Sequence, residues 1–255
     1  MTLLCVPLVS KTVELMVADM AAAKACGADL IEIRLDHLSN FDPRRDLQLL
    51  LGDRPLPALV AEDFVRLISE KKPENFKLII SSHNYQNTPS SEELSSLVAR
   101  IQVAGADIVK IATTAVDIVD VAPMFQVIVH CQVPMIGLVM GEKGLISRLL
   151  CPKYGGYLTF GTLGAGKESA PGQPTISDLL NVYNIRQIGT DTKVFGIIGK
   201  PVGHSKSPIL HNAAFKSVGF NAVYVPFLVD VLADFLNAYS SADFAGFRYS
   251  WVLRI

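Results

Sequence analysis

Short apolar runs recur along residues 3 to 163 at a spacing that few architectures produce. "LLCVPLV" starts at residue 3, "ADLIEIRLD" at 28, "LPALV" at 56, "KLIISSHN" at 77, "ADIVKIATT" at 106, "VPMIGLVM" at 133 and "YLTFGTL" at 157, so successive starts lie 21 to 29 residues apart. Amphipathic segments fill the intervals. "KTVELMVADMAAAKACG" and "SEELSSLVARIQVAG" both end at a Gly where a helix C-cap belongs, and "TPSSEEL" supplies a Ser cap with early carboxylates. Strands alternating with helices at this period make βαβ units and a parallel sheet. Seven units with nearly continuous apolar strands favour a (β/α) barrel over an open, doubly wound sheet.

The pattern changes at "NIRQIGTDTK", residues 184–193, where a polar, Gly-containing stretch closes the last helix of the series. A new α/β unit follows: strand "KVFGIIG", helix "SPILHNAAFKSVG" with Pro208 in its first turn, strand "NAVYVPFLV", helix "VLADFLNAYSS", and a last strand within "FAGFRYSWVLRI". The expected units are therefore residues 1–188 and 189–255, the second reading as a domain that stops in mid-strand.

Composition narrows the class of partner. The chain has 255 residues, half of them hydrophobic, and a net charge of −1 with Lys and Arg dispersed, so nothing marks a nucleic-acid or anionic-membrane surface. A small molecule is the expected partner. No run reaches 18 uninterrupted apolar residues and no charged, Ser/Arg-rich leader precedes the first strand, so a cytoplasmic place is expected for the chain as it stands. Cys5, Cys26, Cys131 and Cys151 lie in or beside apolar runs without a CxxC, which reads as reduced, buried thiols.

Within this frame several polar residues stand out. Lys110 interrupts "ADIVKIATTA" and shares a strand face with Ile108 and Ala112. It is either a lysine snorkelling or paired at an edge, or an inward lysine whose desolvation makes it a nucleophile toward carbonyls. His83, at the end of "SSHN", belongs near the C-terminal rim where barrel active sites form, and is either structural or an acid/base partner for Lys110. Glu32, Arg34 and Asp36 of "EIRLD" are expected on one face of the second strand, as an ion network or around a polar ligand. Arg148 of "MGEKGLISR" suits a carboxylate, with Ser169 and Gln173 of "SAPGQ" nearby in sequence. "GTLGAGK" satisfies G-x-x-x-x-G-K, but Glu168 follows where Ser or Thr would hold Mg²⁺, and no G-x-G-x-x-G follows a strand.

Taken in order, "EIRLD", "SSHNYQNTP", "IVKIATTA", "MGEKGLISRLL" and "SAPGQPT" resemble type I 3-dehydroquinate dehydratase, and "FGIIGKPVGHSKSPILHNAAF" resembles the start of shikimate dehydrogenase. Their fusion is similar to the plant bifunctional enzymes of the shikimate pathway. The resemblance implies a TIM-type barrel that dehydrates 3-dehydroquinate to 3-dehydroshikimate. Lys110 would form a Schiff base with the substrate ketone, and His83 would move the proton. Glu32 and Arg34 would hold ring hydroxyls, and Arg148, Ser169 and Gln173 would orient the substrate and its carboxylate. Ser205 and Ser207 of "HSKS" would bind shikimate carboxylate, although helix capping before Pro208 is the simpler role for them. The dehydratase needs no cofactor, the family's dehydrogenase uses NADP, and the resemblance implies a plastid.

Two departures set further expectations. The family's barrel has eight strands, whereas "PLPALV" runs straight into "AEDFVRLISEKKP", so the barrel is expected to lack part of its third unit and its fourth strand near residues 60/61. The missing segment would have carried a substrate-binding arginine and a glutamate that partners the histidine. The end at "RYSWVLRI" stops before the dehydrogenase's catalytic lysine and NADP domain, so loss of dehydrogenase activity is expected. The alternatives are a catalytically inactive chain that at most binds shikimate-type ligands, and a class I aldolase of another pathway, against which "SAPGQ" and "HSKS" argue.

Overall fold

The computed structural model of the chain describes residues 1–60 and 77–249. Seven strands appear where the apolar runs place them: β1 (Leu3–Leu8), β2 (Leu30–Ile33), β3 (Ala58–Val60), β4 (Ile79–His83), β5 (Ile108–Thr114), β6 (Met135–Met140) and β7 (Leu158–Phe160). The helices between them are α1 (Val13–Ala25), α2 (Pro43–Leu51), α3 (Ser91–Val103), α4 (Val121–His130) and α5 (Leu145–Leu149). The caps follow from sequence. Ser90 Oγ accepts from the Glu93 N–H while the Glu93 carboxylate accepts from the Ser90 N–H, a capping box that contributes about 1 kcal/mol to α3. Gly27 and Gly105, just past α1 and α3, take φ of 89° and 91°, a left-handed step that ends each helix.

All pairings are parallel, in the orders β3-β2-β1-β7 and β4-β5-β6. The two groups meet where the Tyr157 N–H, just before β7, donates to Met135 O of β6 at 2.8 Å. One curved wall results. Its inner face carries an apolar layer with at least one residue from every strand: Cys5, Leu30, Leu59, Ile79, Ile108, Ile136 and Leu158. Its outer face packs Val6, Ile31, Val109 and Val139 against the helices. Among the described residues β3 pairs only with β2 and β4 only with β5, so the wall is open between β3 and β4. The expected join at residues 60/61, the run "AEDFVRLISEKKP" and residues 250–255 lie outside the described residues.

Three local expectations are corrected. β2 ends at Ile33, and a 3₁₀ turn over Leu35–His37 follows, so Arg34 and Asp36 stand on the turn above Glu32 and not on the strand with it. The helix expected before residue 184 is present but is wound as a π-helix over Asp178–Val182, followed by a 3₁₀ turn over Ile185–Gln187. Cys5 and Cys151 are buried, but Cys26 is exposed at the cap of α1 and Cys131 is half-buried.

The second unit is a parallel sheet in the order β10-β8-β9, made of β8 (Lys193–Gly199), β9 (Ala222–Leu228) and β10 (Phe244–Tyr249), with α6 (Ser207–Ser217) and α7 (Leu232–Ala238). It is anchored to the barrel by directional contacts. Lys153 Nζ donates to Thr190 O and Thr192 O at 2.9 and 3.0 Å and pairs with Asp243. Tyr239 Oη donates to Ile118 O at 2.7 Å, and Asp230 of the second unit pairs with Lys143 of the barrel and with Lys200.

Candidate active site

Lys110 lies two residues above Ile108 on the inward face of β5, a strand bonded on both sides, so it is not an edge lysine. Its Nζ is 3.2 Å from Glu32 Oε1 and 4.6 Å from the centroid of the Phe160 ring. With side chains only 13% and 16% exposed, Lys110 and Glu32 form a nearly buried pair. A charge at that depth is tolerated because a carboxylate and a ring face compensate it. Both sit directly above the apolar floor of the barrel.

The space over them is a cavity of about 740 Å³, within the ordinary range for small-molecule sites. Glu32, Arg34, Asp36, His83, Lys110, Arg148 and Ser169 all line it, so seven residues singled out in the sequence converge from five strand ends. The register pairs Ser81 with Lys110 and His83 with Ala112. His83 therefore faces the same side as Lys110, one strand over and two residues higher. A strand spacing of ~4.8 Å and a rise of ~3.3 Å per residue put the two Cβ atoms about 8 Å apart, room for a six-membered ring between them. The His83 ring is exposed, stacks on Tyr85 with centroids 5.8 Å apart, and has Nδ1 3.4 Å from Ser81 Oγ.

Arg148 is the most deeply placed cation, 2% exposed on α5, and its Nε has no hydrogen-bond partner among the described residues. Burial pushes its guanidinium down to about 10. A buried, incompletely paired guanidinium on a cavity wall suits an anionic ligand. Arg34, by contrast, is already engaged. It donates from Nε and Nη2 to the two oxygens of Asp36 at 2.8 and 2.6 Å, and this bidentate pair holds Asp36 below and Arg34 above their usual ranges.

The remaining candidates separate. Gln173 does not line this cavity: its Oε1 accepts from the Ser169 N–H at 2.9 Å and the side chain faces a second cavity, of about 370 Å³, between the two units. Gly172 fixes this arrangement, because at its φ of 72° an added Cβ would lie 2.5 Å from Gly141 O. Ser205 lines the second cavity and its Oγ accepts from the Ser207 N–H at 3.2 Å, a capping contact at the start of α6. Ser207 lines neither cavity and has its Oγ 3.4 Å from Arg248 Nη1.

Sequence reasoning missed Phe160 and Tyr85. Phe160 was findable, since it shares inward parity with Leu158 on β7; Tyr85 lies beyond the end of β4, where no periodicity applies. The false phosphate loop is accounted for: Glu168 Oε1 accepts the Gly166 N–H at 3.1 Å and Lys167 pairs with Asp19 at 2.8 Å. The Cys5 thiol in the barrel floor is pushed well up by burial, with Glu32 adding to it, which keeps it an unreactive thiol. No cluster of metal-ligating side chains occurs among the described residues.

Comparison with known proteins gives two family matches. The profile of type I 3-dehydroquinase matches residues 4–61 and 58–190, in two pieces that meet where the wall is open. That of the shikimate dehydrogenase substrate binding domain matches residues 197–251. A chloroplastic bifunctional 3-dehydroquinate dehydratase/shikimate dehydrogenase of Arabidopsis thaliana is 55% identical over 285 aligned positions, covering 96% of this chain and 47% of that protein. The alignment is longer than the chain, so the relative carries residues without a counterpart here; the chain spans about half of its length. A 3-dehydroquinate dehydratase of Coxiella burnetii is 30% identical, covering 71% of this chain and 91% of that one. The solved 3-dehydroquinate dehydratase of Aquifex aeolicus superimposes with a TM-score of 0.61 at 24% identity, covering 73% of this chain and 98% of that one, which shows the shared fold.

Proposed function

The chain belongs to the type I 3-dehydroquinase family, and on that premise we propose that its barrel, residues 1–188, dehydrates 3-dehydroquinate to 3-dehydroshikimate through an imine on Lys110. The observation that carries the reading is the placement of Lys110, held by Glu32 at 3.2 Å, in one cavity with His83 and Arg148.

Lys110 first passes its ammonium proton to solvent, and its neutral amine attacks the ketone carbon; a proton taken back from solvent later leaves with the carbinolamine hydroxyl. Loss of water from the carbinolamine leaves a cationic iminium, which draws electrons from the adjacent C–H bond. His83 takes that proton, giving an enamine. The enamine's electron pair then expels the β-hydroxyl, which leaves as water with the proton that His83 returns. A second water hydrolyses the imine and frees Lys110, so one water is lost overall. Arg148 and the Ser169 loop receive the carboxylate, and Glu32 and Arg34 meet ring hydroxyls at the opposite wall, which fixes the reacting bond over the lysine. Gln173 acts from behind the cavity by holding Ser169. Lys110 supplies the electron sink, so no cofactor enters the cycle.

For the second unit, residues 189–255, the proposed ligand is shikimate, with Ser205 and Ser207 near its carboxylate. The dehydrogenase family's NADP finds no G-x-G-x-x-G turn after a strand in this chain, so no residue is assigned to it and no hydride step follows. The chloroplastic relative supports a plastid location; no helix among the described residues is long and apolar enough to cross a membrane.

A second reading, a chain that binds shikimate-type ligands without turnover, is favoured by one observation: His83 is exposed, on a strand paired at one edge among the described residues. Continuous ultraviolet detection of the conjugated enone of 3-dehydroshikimate separates the two. Turnover that disappears in Lys110→Ala supports the dehydratase, and binding of substrate without enone formation supports the second reading.

A further inference from the structure

The segment from Ser169 to Gln173 is a partition between two cavities. Ser169 and Pro171 line the barrel cavity, while Gly172 and Gln173 line the cavity of about 370 Å³ between the units. Helix α5 does the same, with Arg148 on the barrel side and Leu145 on the other. One wall of the barrel site is thus the back wall of the junction cavity.

Gln173 is 7% exposed and its amide orientation is fixed by its neighbour: the Ser169 N–H is a donor, so the atom it meets at 2.9 Å must be Oε1. Nε2 is then the free end, buried and without a hydrogen-bond partner among the described residues. From the second unit the cavity adds His204, the Ser205 hydroxyl and Lys206, and from the barrel side a single carboxylate, Asp178, whose Oδ2 already accepts from Thr175 Oγ1 at 2.7 Å. Val182, Val202 and Pro226 complete it with apolar surface. Ser207 is not part of it, so this is not the place where the two "HSKS" serines act together. The Tyr183 phenol also lines it, the one strong cation of the lining is Lys206, an exposed side chain at the start of α6, and most of the remaining side chains are hydrocarbon.

We propose that the junction cavity is a binding site for a carboxylate with a compact hydrocarbon body, and that its occupant steadies the Ser169–Gln173 partition. The carboxylate accepts from Gln173 Nε2 and Lys206 Nζ, and the body lies against Val182 and Val202. Because Gln173 holds Ser169 through its other end, a ligand that fixes the amide also fixes the loop at the mouth of the barrel.

The test is an NMR titration of the full chain with cyclohexanecarboxylate, following the side-chain amide of Gln173 and the backbone amide of Ser169. Both signals should shift saturably and with one affinity. Lys206→Ala should weaken binding at least fivefold, and Val182→Trp, which fills the cavity, should abolish it while the other amide signals stay in place. Inorganic phosphate should leave both signals unmoved. Unmoved signals with the carboxylate, equal shifts with phosphate, or binding that survives Val182→Trp in a folded sample would each overturn the proposal. None of these readouts depends on dehydratase turnover, so the proposal fails or stands apart from the proposed function.

Discussion

Lys110 and His83 stand on neighbouring strands of one wall, yet the two strands are held very differently. β5 is bonded to β4 and β6 and is buried along its length except at Lys110 and Thr114. β4, among the described residues, is bonded to β5 alone, and both Ser81 and His83 on its inward face are exposed. The closed side of the wall therefore fixes the nucleophile through backbone pairing, a buried carboxylate and a ring. The other side presents its histidine from a strand that is paired at one edge among the described residues. In the proposed mechanism, covalent capacity and proton transfer therefore fall on differently held strands, the first on the better-paired one.

Substitutions should divide along that line. Lys110→Ala is expected to reduce turnover to background, because no other side chain in the cavity can carry the imine; residual turnover within tenfold of the parent chain would refute its role. His83→Ala should lower elimination by about 10²–10⁴-fold, the usual contribution of a positioned acid/base group. It should leave imine formation measurable, which equal loss of both steps would contradict. Arg148→Met should raise KM by roughly 10–100-fold, the worth of hydrogen bonds to a charged group, with a smaller effect on kcat. Its melting temperature should hold or rise, since the substitution removes a buried, incompletely paired cation; a fall of several degrees would mean that Arg148 is structural.

Hydrogen exchange reads the same contrast without chemistry. Amides of β4 that point away from β5 should exchange at least about 10²-fold faster than those of β5, reflecting local opening at an edge that no described strand covers. Similar protection on both strands would show that the edge is covered. The smallest effect concerns the junction with the second unit. Asp230, held down to about 2 by Lys143 and Lys200, has a folded value below its unfolded one, so its contribution is complete above pH ~4 and is lost as pH falls toward 2. Asp230→Asn should cost about 1 kcal/mol at most at pH 7, the scale of a solvent-accessible ion pair, and nothing near pH 2. A cost independent of pH would assign Asp230 a packing role instead.

Much of this was readable before any coordinates. Period and apolar runs located the seven barrel strands found among the described residues, because an inward and an outward apolar face leave few other ways to bury them. The inward parity of Lys110 followed from its spacing to Ile108, and "TPSSEEL" announced the Ser cap of α3. What failed depended on local backbone or on distance in sequence. Arg34 leaves the strand because the chain turns after Ile33, a choice that no side-chain period encodes. The pairing of Lys110 with Glu32 spans 78 positions and is set by the order of strands. Gln173 was expected beside the substrate, but its amide turns back to Ser169 because Gly172 packs against Gly141.

The central claim is that Lys110 forms an imine with a keto substrate in this barrel. Purified chain mixed with 3-dehydroquinate and borohydride, then measured by intact-mass spectrometry, tests it directly. The account predicts one stable adduct per chain, mapping to the peptide that carries Lys110 and absent in Lys110→Ala. A folded sample that takes up no mass, or an adduct that persists without Lys110, would contradict it.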